Sequence, residues 1–381
     1  MTNSRSPSGL SRRRFLQSAA ALGCLAHTPA FAGEAPEPAL KTRAAAKGLE
    51  FGAAEVARYL LKDPALAQAY VRECAVLVAA DDLKWGSMRR KPGKIDFTMG
   101  DALYLFAHSH GMAFRGHTLL WHYDLPRWVD DIPHGPPARA LLEEHIWSVV
   151  GRYRGHMHSW DVVNEALHPR DGRSDGLRES YWLKAIGPEY IELAFRTAHA
   201  ADPDAVLVYN DYDFTLPGSD NNHKRYAILK LLEDYVKRGV PIHAIGLQSH
   251  LMDGRGWFKP RLALEFLDEL QNLGLRALIT ELDVRDDNLP ADVARRDARV
   301  ADMMSRYLEE LLPHPTISSV ITWGLSDKYT YMNEFYPRED GLPTRPLPLD
   351  DEFARKPAWY AIARALDQAP ARAPLARPPR S

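Results

Sequence analysis

A chain of 381 residues holds either one large α/β barrel or two ordinary domains, and composition alone does not choose between them. Hydrophobic residues at 45% and charged residues at 26% suit a soluble globular enzyme with a sizeable core. The formal net charge of -2 leaves no electrostatic footprint for nucleic acid or an anionic membrane, so the sequence predicts neither as a partner.

The first 32 residues form a segment of another kind. "SRRRFLQ" from Ser11 leads into the small apolar run "SAAALGCLA" and then "PAFAGE", where Ala30 and Ala32 flank Phe31 as in a signal-peptidase site. This predicts a twin-arginine export signal cleaved after Ala32, and a periplasmic or secreted product. The apolar run is too short to span a bilayer. Lipid anchoring at Cys24 is disfavoured, because Ala21 stands where a lipoprotein site usually has leucine. After cleavage Cys74 alone remains of the two cysteines, which predicts no intramolecular disulfide. Residues 33–47 read as a linker, 48–367 as the catalytic domain, and the Pro- and Arg-rich end, 368–381, as a disordered tail.

Within the domain, eight short apolar runs alternate with longer helical patterns. They are "GLEFGAA" from Gly48, "CAVLVAADD" from Cys74, "AFRGHTLLW" from Ala113, "HSWDVVNEA" from His158, "AVLVYND" from Ala205, "HAIGLQSH" from His243, "RALITELDV" from Arg276 and "SVITWGLSD" from Ser319. Segments such as "PALAQAYVREC" and "NHKRYAILKLLEDYVKRG" between them carry helical periodicity. Pro64 after Asp63 marks a helix start, and Gly239 and Gly274 mark helix ends. Eight strand–helix units of roughly 40 residues predict a single (β/α)8 TIM barrel. A doubly wound open sheet is the alternative, but the first strand is not followed by a Gly-rich phosphate loop.

The active face of such a barrel lies at the C-terminal strand ends. Those ends carry Lys84 with Trp85, His117 with Trp121, Asn164 with Glu165, Asn210 with Asp211, Gln248 with His250, Glu281 with Asp283, and Trp323 with Asp327. Any one of them has a bland role in capping or packing; all seven ends being polar or aromatic calls for a site. The spacing of Glu165 and Glu281 puts them on strands 4 and 7, facing each other across the mouth. Two carboxylates so placed suit acid/base and nucleophilic work on a glycosidic bond, and the tryptophans suit sugar faces. His108 with His110, His156 with His158, and His117 with His122 resemble paired metal ligands. The first two pairs precede strands 3 and 4, toward the opposite end of the barrel, so no metal is predicted.

The motifs "RGHTLLWH", "WDVVNEA", "YNDY", "IGLQSHL", "ITELDV", "WGLSDKYTY" and "KPAWYAI" occur in the order and roughly the spacing of one family. From about Gly48 to Leu366 the chain resembles glycoside hydrolase family 10, the (β/α)8 endo-1,4-β-xylanases. The resemblance implies a retaining enzyme, active as a monomer on a polysaccharide without a cofactor. It makes Glu165 the acid/base and Glu281 the nucleophile, with His250 bound to Glu281, Asp283 holding His250, and Asn164 on the sugar 2-hydroxyl. It further implies that Lys84, His117, Trp121, Gln248 and Trp323 surround the sugar being cleaved, with Asn210, Tyr212, Tyr331, Asp81 and Asp124 among the substrate-binding positions.

The chain departs from the family pattern on the side of the cleft that binds the non-reducing end. Ala80 and Asp81 replace the usual Glu-Asn before Lys84, Asp124 replaces a glutamine, and Thr330-Tyr331 replaces Ser-Trp. These changes leave open the same chemistry on another β-linked polysaccharide, such as a bacterial exopolysaccharide. Two other classes differ in what they require: a non-catalytic carbohydrate-binding protein would lack one of the glutamates, and a metal-dependent hydrolase would need ligands at the strand ends.

Overall fold

Each apolar run becomes a strand because β-branched and small apolar residues fit a surface buried on both faces. In the computed structural model, which describes residues 37–254 and 258–375, the barrel strands are β1 (Glu50–Glu55), β2 (Val76–Ala79), β3 (Ala113–Gly116), β4 (Ser159–Asn164), β5 (Val206–Asp211), β6 (Ala244–Leu247), β7 (Arg276–Arg285) and β8 (Ile317–Thr322), and a short extra strand, His250–Met252, pairs with the end of β7. Each runs parallel to the next, and Glu50 of β1 pairs with Ser319 of β8. The sheet therefore closes into a barrel of eight parallel strands, as the unit count predicts.

Helices follow the strands and cover the outside. Alternation in β2 shows how: Leu77 and Ala79 join the large cluster between strands and helices, while Val76 and Val78 join Ala54 and Ile321 in a smaller one. The local signals hold as well. Asp63 Oδ1 accepts the N–H groups of Ala65 at 3.0 Å and Leu66 at 3.2 Å to cap the helix Pro64–Glu73. Gly239 and Gly274, with φ of 61° and 73°, follow the ends of the helices Ser219–Lys237 and Pro260–Asn272.

Two boundaries differ from the sequence reading. A short helix, Leu40–Ala45, lies inside the segment read as a linker, and its Leu40 and Ala44 are fully buried. The Leu40 N–H donates to the buried Glu73 carboxylate at 3.0 Å and ties it to the body. The segment read as a tail is also partly packed: Arg372 donates to the carbonyls of His314 at 2.7 Å and Ile317 at 2.9 Å, and Leu375 packs against Val206, Val208, Ala244 and Leu278. The export signal expected over residues 1–32 lies outside the described residues, as does the end of the tail. Among the described residues no helix is long and apolar enough to cross a membrane.

Candidate active site

The polar residues gather at the C-terminal strand ends because the backbone leaves regular geometry there. A bulge in β4 shifts the pairing between Asp161 and Val163. Asp161 and Asn164, an odd number of residues apart, consequently both bond to polar groups on neighbouring strands. Glu165 follows immediately with φ of 56°, left-handed backbone that costs a non-glycine residue about 1–2 kcal/mol. Two bonds hold it there: its N–H donates to the Asn210 carbonyl at 2.9 Å, and Arg178 Nε donates to its carbonyl at 2.7 Å.

The two glutamates share one amide network. Asn210, with no exposed surface, donates through Nδ2 to Glu281 Oε1 at 2.7 Å and to Asn164 Oδ1 at 2.9 Å. Its own Oδ1 accepts from Thr280 Oγ1 at 2.7 Å. Asn164 and Gln248 then donate to Glu165 Oε1, at 3.3 and 3.0 Å. Gly246 makes room for this: a Cβ there would lie 2.0 Å from Asn210 Oδ1.

On the other side of Glu281 stands a charge chain. His250 Nε2 lies 3.0 Å from Glu281 Oε2, and its Nδ1 lies 2.9 Å from Asp283 Oδ1. Burial disfavours an imidazolium at His250, but Asp283 and Glu281 outweigh it and hold the His250 pKa well above its ordinary value. Burial likewise pushes Glu281 upward, yet the His250 hydrogen bond, nearby His117 and Asn210 together hold its carboxyl below the usual range. A buried carboxylate kept ionised beside a donor-rich wall is poised to act as a nucleophile. The Asp283 carboxyl is raised by burial, against the pull of His250. The Tyr331 ring centroid lies 6.2 Å from that of His250.

His117 and Trp323 meet edge to face with centroids 5.0 Å apart, and Lys84 Nζ lies 5.1 Å from the Trp121 ring and 5.8 Å from Trp323. Lys84 is bound by Asp81 Oδ1 at 2.8 Å. Asp124 sits with φ of 57° beneath Gly86, whose added Cβ would meet Asp124 Oδ1 at 2.2 Å. Burial raises the Asp124 carboxyl and Lys84 lowers it, so both aspartates face the same ammonium. The Tyr212 hydroxyl accepts from Arg178 Nη2 at 2.7 Å, and Lys224 Nζ lies 3.4 Å from the ring centre.

The structure therefore brings together Glu165, Glu281, Asn164, Gln248, His250 and Asp283, and gathers Lys84, His117, Trp121, Trp323 and Asp81 around the same mouth. Asn210 belongs to a different role from the one the sequence suggests. Fully buried, with every amide position engaged, it is an internal bridge rather than a sugar contact. The histidine pairs resolve differently from metal ligands: His158 Nε2 bonds Glu50 Oε2 at 3.0 Å near the start of β1, while His117 Nδ1 bonds Asp161 Oδ2 at 2.9 Å. Arg115, Asp161, Thr280 and Arg178 were missed. Arg115 donates to Asp161 inside the barrel, and to Ser159 Oγ at 2.8 Å. Opposite charges inside two neighbouring apolar strands were the available signal, since neither is buried cheaply alone.

Comparison with known proteins agrees with the barrel fold. A model of glycosyl hydrolase family 10 matches residues 39–365. A β-1,4-xylanase of Dictyoglomus thermophilum is 36% identical over 301 residues, 76% of this chain and 81% of that protein. Endo-1,4-β-xylanase B of Thermotoga neapolitana is 33% identical over 298 residues, 78% of this chain and 82% of that one. Among solved structures, xylanase 10B from Thermotoga petrophila RKU-1 in complex with xylobiose superposes with a TM-score of 0.79 at 30% identity, covering 88% of this chain and 99% of its own.

Proposed function

We propose a catalytic assignment from one premise: the chain belongs to glycosyl hydrolase family 10. Its activity is that of a retaining endo-1,4-β-xylanase, which cleaves β-1,4-xylosidic bonds by two displacements. In the assignment, ionised Glu281 attacks the anomeric carbon while Glu165 protonates the departing glycosidic oxygen. A glycosyl ester forms on Glu281 and the aglycone leaves as an alcohol. Water then enters; Glu165 takes its proton as the hydroxyl attacks the anomeric carbon, the ester breaks, and Glu281 returns as a carboxylate.

The observation that carries the reading is the amide bridge. Asn210 bonds the Glu281 carboxylate and the Glu165 backbone together, so β5 sets the geometry of a pair drawn from β4 and β7. Imidazolium His250 stabilises the charge of Glu281, and Asp283 in turn holds His250. A 2-fluoro-xylobioside with an activated leaving group tests the assignment, because it traps the ester. Peptide mapping is expected to place the adduct on Glu281; an adduct elsewhere contradicts the assignment.

A second reading concerns the substrate. Asp81 binds the Lys84 ammonium directly, and Ala80 offers no polar group, so the glycone side has fewer free hydrogen-bonding groups for neutral xylose than the family pattern. The alternative is the same chemistry on another β-linked polysaccharide, with xylan turned over slowly. Comparing turnover on xylan with a panel of bacterial polysaccharides tests it; rapid xylan hydrolysis excludes it. We assign export to the twin-arginine segment and take the working form as a monomer.

A further inference from the structure

Glu165 has two unlike oxygens. Oε1 accepts from Gln248 Nε2 at 3.0 Å and Asn164 Nδ2 at 3.3 Å. The amide of Asn164 cannot turn round, because its Oδ1 already accepts from Asn210 at 2.9 Å and from Gln248 at 3.2 Å. A proton on Oε1 would point at two N–H donors. The proton that an acid must deliver therefore belongs on Oε2.

Oε2 faces His122. The Nδ1 atom of His122 lies 3.7 Å from it, is buried, and has no hydrogen-bond partner. Behind the pair lies a small cavity lined by Trp121, His122, Asn164, Glu165, Arg178 and Ser180. A buried N–H without a partner is costly, and contacts of this kind lengthen in an empty site and tighten when substrate fills it.

We propose that His122 is a positioning residue for the acid/base carboxyl, donating from Nδ1 to Oε2 of Glu165 and turning its proton toward the glycosidic oxygen. The proposal rests on Glu165 being the acid/base. As Oε2 gives up its proton it becomes a better acceptor, so the bond strengthens as the transition state forms. One tautomer serves both half-reactions, and no proton leaves the imidazole. The histidine must stay neutral for this, since an imidazolium would hold Glu165 ionised. The groups that face His122 are Arg178, Glu165, His168 and Lys224; Asp211 also faces Glu165. Burial, Arg178, His168 and Lys224 outweigh the attraction of Glu165, and His122 is lowered to about 4.

The test is the dependence of kcat/KM on the leaving group. A xylo-oligosaccharide needs its departing oxygen protonated, whereas a dinitrophenyl xylobioside does not. For His122→Ala the first is expected to fall about 10- to 100-fold and the second by less than about threefold. His122→Asn, whose amide sits near the place of Nδ1, is expected to recover most of the loss. Equal losses on both substrates mean a merely structural role and overturn the proposal, as does no loss on either. Glu165→Ala is measured beside them. If it too loses both substrates equally, the assignment of the acid has failed rather than that of its partner, and this proposal falls with it.

Discussion

Asn210 Nδ2 donates to Glu281 Oε1 at 2.7 Å while the Asn210 carbonyl accepts the Glu165 N–H at 2.9 Å. One fully buried residue thus sets both carboxyls. Asn210→Ala removes a donor to a charged group and frees the Asn164 amide. We expect kcat/KM to fall roughly 10- to 100-fold, with the acid limb of the pH profile moving to higher pH as Glu281 becomes harder to ionise. Unchanged activity would show the bridge to be idle.

His250 acts on the same limb through charge. Its cation, held by Asp283 and Glu281, is one reason that Glu281 lies below the usual carboxylate range. His250→Asn keeps a polar group and loses the charge, so the acid limb is expected to rise by at least one pH unit on the order expected for one neighbouring charge. The linkage has a definite sign. Because the folded pKa of His250 is raised above 6.5, the stability it adds is complete below that pH and is lost as pH rises through the raised value. Thermal melts of the variant should therefore lose less stability on the alkaline side than those of the parent.

Glu55, at the end of β1, is buried, and burial favours its neutral form in the folded chain. The Tyr70 hydroxyl has one proton to share between the Ala54 carbonyl at 2.7 Å and Glu55 Oε2 at 3.0 Å. Burial pushes its carboxyl up to about 8, against the Val56 N–H and Tyr70 bonds. Between 4.5 and 8 the folded chain keeps a proton that the unfolded chain has lost, and stability falls by about 1.4 kcal/mol per pH unit. Glu55→Gln, which cannot ionise, is expected to flatten that slope in melts from pH 5 to 8. An unchanged slope would contradict a neutral Glu55.

The glycone side is expected to respond to restoration. Asp81→Asn releases Lys84 from its 2.8 Å ion pair, and Ala80→Glu with Asp124→Gln returns the hydrogen-bonding groups common in the family. Each regained contact is worth on the order of 1–3 kcal/mol, so the triple variant should raise kcat/KM on xylo-oligosaccharides at least about tenfold. No gain would mean that these positions do not govern the choice of sugar.

Much of this site was legible in the sequence. Eight apolar runs placed Glu165 and Glu281 on the right strands, because period and turn residues report local structure. What escaped were relations between strands. The bulge in β4 that lets Asp161 reach His117 has no local signature in "WDVV", and the left-handed backbone of Glu165 is imposed by Asn210 and Arg178. The family resemblance puts Asn210 among the substrate-binding positions, yet Gly246 on the next strand opens the space that buries it. His122 looked like half of a metal pair with His117, but the chain carries the two to different carboxylates, Glu165 and Asp161.

The most direct test of the account is azide rescue of two variants on an activated xylobioside. With Glu281→Ala, azide replaces the nucleophile in a single displacement and the product should be the inverted α-glycosyl azide. With Glu165→Ala, azide attacks the glycosyl ester on Glu281 and the product should be the retained β-glycosyl azide. The opposite pairing, or turnover in Glu281→Ala above a few per cent without azide, would contradict the assignment.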